Sequence, residues 1–140
     1  MSIHPDRYGV DVTTPQTAAV AHLDDAIDSF LRFANDGGEH LGAALDADPD
    51  LVLGHCLMGY FMRLANDPTL LPGGEAALVR ATEIVAQGAV GARERHHAAA
   101  LACWYADDWL GAIGHWERAL VENPRDMLAL WVSQLGQFFM

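Results

Sequence analysis

Apolar residues return at every third or fourth position over most of the chain, and clusters of Asn, Asp, Gly and Pro interrupt them at intervals. Helical periodicity punctuated by turn residues predicts an all-α protein. A first helix is expected over about 15–34, opened by Thr14 as a cap and Pro15 in the first turn. Ala19, Leu23, Ala26, Ile27, Phe30 and Leu31 fall on one side of it, and Asp24, Asp25 and Asp28 on the other. The segment 35–38, Asn-Asp-Gly-Gly, breaks the chain, and a short second helix over 39–47 ends at Asp48 and Pro49. The pattern resumes after Asp50 with Leu51, Leu53, Leu57, Met58, Tyr60, Phe61 and Leu64; Gly59 within it marks a place where two helices can approach closely. The segment 66–74 reads as a loop because it holds Pro68, Pro72 and two glycines. A helix over 75–87 follows, with Gly88 as its stop.

The clearest stretch is 93–126, which predicts two helices joined by a tight turn. Ala98, Ala99, Ala102 and Ala106 give its first helix a slender face, since alanine adds little volume and has the highest helix propensity. Asp107 and Asp108 supply capping carboxylates, and Leu110, Ile113, Trp116 and Leu120 recur on one face of the second helix, over 109–122. Asn123 and Pro124 end it, because proline disfavours helical geometry in the residue before it. A seventh helix is expected from Arg125 or Asp126 onward. Its apolar residues, Leu128, Leu130, Trp131, Leu135, Phe138 and Phe139, are too many for one face of a solvent-covered terminal helix, so another subunit or a continuation of the chain is expected to cover it. Residues 1–14 show no sustained period and read as an extended arm ahead of a single helical domain over 15–140.

Ala100, Ala112, Trp116, Ala119 and Pro124 resemble the packing residues of a tetratricopeptide repeat, a helix-turn-helix unit of 34 residues. Counting back from Pro49 places Gly37, Leu41 and Ala44 at the positions of Ala112, Trp116 and Ala119. The fold this resemblance implies is an α-α superhelix of about seven helices, three hairpins and a terminal helix. DADPDLVLGHCLMGYFM, GARERHHAAALACWYADDWLGAIGHWERAL and NPRDMLALWVSQLGQFF also resemble the tetratricopeptide repeat protein 38-like family, over what would be the N-terminal third of a typical member. Members of that family often carry His-Asp where this chain has Ser133 and Gln134, and the family has no well-established reaction to carry over.

Composition narrows the function classes. The 140 residues suffice for one domain with a true core, and 51% hydrophobic content argues against disorder. A net charge of −11 argues against nucleic-acid binding, which draws its affinity from basic side chains. Residues 1–50 hold ten Asp and Glu against two Arg, a negative face that could recruit a basic peptide. All eight basic residues are arginine, which with abundant alanine suggests a GC-rich bacterial coding sequence. The N-terminus shows no secretory signal and no apolar run is long enough to span a bilayer, so a cytoplasmic location with no membrane partner is expected.

Candidate chemistry is sparse. Cys56 and Cys103 lack CxxC spacing and read as buried thiols. His96 and His97 are neighbours about 100° apart on a helix, poor geometry for one metal ion, and no two histidines stand at i and i+4. His55 and His115 have no nearby nucleophile or carboxylate at a catalytic spacing, and Cys103 stands two helical turns from His96. No catalytic residue, cofactor or metal is therefore expected. The expected function is a non-catalytic helical-repeat scaffold binding a protein or peptide, with Trp104, Tyr105, Trp109, Trp131, Leu135, Phe138 and Phe139 as the partner-binding residues. The alternatives are a small-ligand or enzymatic domain with a pocket lined by His55, His96, His97 or Cys103, and a homodimer formed through the C-terminal helix.

Overall fold

The computed structural model describes residues 2–139, with side chains described through Leu135. Among the described residues are two short strands, β1 (Ile3–Pro5) and β2 (Asp11–Thr13), and seven helices: α1 (Thr17–Leu31), α2 (Gly37–Ala47), α3 (Val52–Leu64), α4 (Leu71–Ala86), α5 (Ala92–Tyr105), α6 (Trp109–Glu122) and α7 (Met127–Phe139). The chain is all-α, as the periodicity predicts. Consecutive helices pair as α1 with α2, α3 with α4 and α5 with α6, and α5 touches both helices of the second pair.

Close approach at the predicted small residues builds the core. Ala100, Ala112, Trp116 and Ala119 are each 1% exposed or less. Gly59 lies against α5, where a Cβ would come within 2.8 Å of Leu101, and a Cβ on Gly74 would meet the Tyr105 hydroxyl. That hydroxyl donates to the Gly59 carbonyl at 2.7 Å, so one tyrosine joins α5 to both helices of the second pair. Trp104, Trp109 and Trp116 pack edge to face with centroids 5.4–5.6 Å apart, a favoured aromatic arrangement.

The N-terminal residues differ from the expected extended arm. They form an antiparallel hairpin with Ile3 opposite Thr13 and Pro5 opposite Asp11. Its turn is organised by Asp6, whose carboxylate accepts from the backbone N–H of Tyr8 and of Val10, and by Gly9 at a left-handed φ of 82°. Val10 and Val12 enter the core, and the hairpin packs on both α1 and α5.

Two further expectations are corrected. The loop predicted over 66–74 is shorter, because a 3-10 turn at Pro68–Leu70 leads into α4 at Leu71 and takes Pro72, Gly73 and Gly74 into its first turn. Proline is tolerated there because a first-turn N–H has no partner within the helix. The seventh helix, expected to need cover from outside the chain, finds part of it within: it packs on α6, α1 and α3 and buries Leu128, Ala129, Trp131 and Val132, while Leu130 and Leu135 are half-buried.

Trp116 is fully buried and donates its indole N–H to the Tyr60 hydroxyl at 3.1 Å. Trp116→Ala is expected to lower stability by about 3–5 kcal/mol; an unchanged urea midpoint would refute its place in the core.

Candidate functional site

The surface feature with the strongest case for a role is built at the C-terminal ends of α1 and α3, beside α7. The Phe30 ring lies 5.3 Å from that of Phe61 and 5.4 Å from that of Trp131. It covers the start of α2, where a Cβ on Gly37 would come within 2.9 Å of the ring. These three aromatics join Phe33, Leu64 and Leu135, with Ala34 and Ala65, in lining an open apolar groove of about 280 Å³. Phe61 is 40% exposed and Phe33 76%.

Phe33 is held in an unusual backbone state. Helix α1 ends with the Phe33 N–H donating to the Phe30 carbonyl and the Ala34 N–H to the Ser29 carbonyl, a Schellman arrangement that puts Phe33 in the left-handed region at φ 55°. The turns after α3 and α5 also place one residue there, Asn66 at 53° and Asp107 at 61°. Those types tolerate the conformation, whereas a bulky residue is strained by roughly 1–2 kcal/mol. The three turns share a motif, Ala34-Asn35-Asp36, Ala65-Asn66-Asp67 and Ala106-Asp107-Asp108, yet in the first the left-handed residue stands before the alanine instead of after it.

Both arginines near the groove are paired, and two further carboxylates flank it in sequence. Arg32 pairs with Asp28 at 3.1 Å; Arg63 pairs with Asp107 at 2.7 Å and lies over the Tyr105 ring. Asp36 accepts from the Ser29 hydroxyl and lies beside His40, and these contacts hold its carboxyl below the usual range. Asp67 is lowered in the same way by the Thr69 hydroxyl and backbone N–H.

The expected partner-binding residues divide between groove and core. Trp131 and Leu135 line the groove. Trp104 is 2% exposed and belongs to the aromatic core, Trp109 packs against it, and Tyr105 spends its hydroxyl on Gly59. The side chains of Phe138 and Phe139 lie outside the described residues. Phe30, Phe33, Phe61 and Leu64 were missed as site residues. The readable signal was an aromatic residue at position 33, next to a turn sequence otherwise made of Ala, Asn, Asp and Gly.

The histidines of the enzymatic alternative have separate partners. His55 Nε2 lies 2.7 Å from the Pro49 carbonyl, and His96 Nε2 lies 3.0 Å from Glu122. Cys103 sits near Asp108, its thiol pKa raised by burial and by that carboxylate. His97 is fully buried: its Nδ1 lies 2.8 Å from the Tyr60 hydroxyl and its Nε2 2.9 Å from Asp126.

Asp126 is the centre of a buried polar network. Besides His97 it accepts from Arg93 at 3.0 Å and, as the N-cap of α7, from the Ala129 N–H at 3.1 Å. Arg93 also reaches Asp6 in the hairpin at 3.1 Å. Burial acts to raise the Asp126 pKa, but His97 and Arg93 outweigh it and hold the carboxyl well below the usual carboxylate range. Asp24, buried and near Asp6, moves the other way, its pKa pushed up to about 6 by burial first and by Asp6 second.

Comparisons with protein-family models, with curated proteins and with solved structures gave no significant match.

Two outcomes follow from these positions. Phe33→Gly is expected to raise stability by about 0.5–1 kcal/mol, since glycine adopts left-handed φ without a clash; a loss of that size would show instead that the ring packs on the fold. Asp126→Asn is expected to cost about 3–5 kcal/mol at pH 7, the range for breaking a buried pair. A folded pKa below the unfolded one gives stability that is complete above pH about 4 and is lost as the pH falls through the folded value. The gap between wild type and variant should therefore shrink below pH about 4 in denaturant titrations, and a gap independent of pH would exclude the ionised carboxylate as its source.

Proposed function

We propose that this chain is a helical-repeat scaffold of the tetratricopeptide kind that binds a protein or peptide partner in the groove between the ends of α1 and α3 and α7. The observation that carries the reading is Phe33, an aromatic held in a strained backbone state with most of its surface in water at the groove. Covering an aromatic side chain of that exposure would contribute about 1–2 kcal/mol before association costs. Phe61 and Leu135 extend the same apolar lining. The volume, about 280 Å³, is at the small end of ligand sites and suits a few anchoring side chains better than a large cofactor.

A second copy of the chain is the rival occupant. Among the described residues, α7 buries Leu128, Ala129, Trp131 and Val132 within its own chain, which leaves Leu135 at the groove to offer one. The His-lined alternative has less support, since His97 has no exposure and His55 and His96 each face a different partner.

The test is a display selection of helical and extended peptides on the purified chain, repeated on Leu135→Asp. Selected peptides are expected to share apolar anchors and to lose at least tenfold in affinity on the variant, about 1.4 kcal/mol. Binders unaffected by Leu135→Asp would place the binding surface elsewhere. Light scattering across micromolar concentrations separates the rival: the proposal expects a monomer, and a dimer broken by Leu135→Asp would assign the groove to a second copy.

A further inference from the structure

We infer that the occupant of this groove is a cationic amphipathic helix anchored on Phe33, an inference that rests on the partner-binding reading above. Three features of the surface select that chemistry.

The first is the charge left over beside the groove. Arg32 and Arg63 are already paired with Asp28 and Asp107, whereas among the described residues Asp36 and Asp67 have no cationic partner other than His40. Each of these residues follows a groove residue, Ala34 or Ala65, by two positions, which keeps its Cα within about 7 Å of that residue. Residues 127–139 on the α7 side carry no charge.

The second is helix direction. The groove lies at the C-terminal ends of α1 and α3, where the helix macrodipole favours cations. Arg32 at the C-cap of α1 and Arg63 in the last turn of α3 already stand there, each held by a carboxylate. A lysine or arginine beside the partner's apolar face would find both a carboxylate and a helix end. A second copy would bring instead another −11 and the same carboxylates, so like charges would face each other.

The third is the shape of the wall. The lining residues all come from helices or their ends, so there is no strand edge for an extended peptide to join. A partner must offer clustered side chains, which a helix does at i, i+3 and i+4.

The experiment uses a synthetic helical peptide of about 18 residues with leucine on one face and lysine on the other, and two twins with lysine replaced by glutamine or glutamate. Fluorescence anisotropy on the full chain, at about 50 and 300 mM salt, is expected to show the lysine peptide binding at least tenfold tighter than the glutamine twin and weakening severalfold at high salt. The glutamate twin is expected not to bind. Phe33→Gly should weaken the lysine peptide at least tenfold, while Leu110→Ser, at an apolar residue 80% exposed on α6, should leave it unchanged. If the glutamine twin binds as tightly and still depends on Phe33, the cationic preference is overturned and the groove remains a partner site. Equal losses with Phe33→Gly and Leu110→Ser, or no binding by any peptide, would overturn the groove assignment together with the inference.

Discussion

The position of α7 is set by one buried carboxylate. Asp126 has no exposure, and an ionised group in that state requires partners on every side that water has left. It finds them in its own helix through Ala129, and in α5 through Arg93 and His97. Arg93 passes the constraint to the N-terminal hairpin through Asp6; His97 passes it to α3 through Tyr60, which accepts from Trp116 of α6. Five elements therefore have to be in register before this charge is satisfied. Buried ion pairs contribute little net stability when complete and cost several kcal/mol when broken, so their effect is to exclude arrangements that leave one partner unpaired. Here the excluded arrangements are those in which α7 leaves α5 or the hairpin detaches.

Fixing the first residue of α7 also fixes where its far side arrives. Trp131, just over one helical turn beyond Asp126, meets Phe30 of α1, and Phe30 in turn meets Phe61 of α3. The groove is thus a consequence of the buried network: it is the space left where α7 crosses the ends of two earlier helices. Small residues set its depth. Without Gly37 the Phe30 ring could not lie over α2, and without Gly59 α3 and α5 would stand farther apart.

The helices were legible because their apolar spacing and their breakers agree, and the small buried positions Ala100, Ala112 and Ala119 follow from the same spacing. The hairpin was not, since three-residue strands are too short to show an alternating pattern. Pro72, Gly73 and Gly74 read as breakers, yet the first turn of a helix accepts them, with Tyr105 filling the room over Gly74. The polar network was hidden because Arg93, Glu94 and His97 look like an outward face, and only their distant partners, Asp6, Thr13 and Asp126, make their burial possible. The cover over α7 was hidden for the same reason: α1 and α3 are far from it in sequence.

Exposed apolar residues are common on folded proteins and carry little meaning singly, as Leu110 and Val121 on α6 illustrate. Phe33 differs because two unfavourable conditions coincide at one residue: a bulky side chain in a left-handed backbone, and a hydrophobic ring in water. The sister turns after α3 and α5 solve the same backbone problem with Asn66 and Asp107, and Asn35 stands two positions away, at the matching place in the shared motif, without being used. Ending α1 two residues earlier relative to that motif is what turns an ordinary helix stop into an aromatic at the mouth of an apolar groove. Neither the core nor the buried network requires that shift, because Phe30, not Phe33, makes the contacts to Phe61, Trp131 and Gly37. The strain at Phe33 is therefore met at the surface and not in the core.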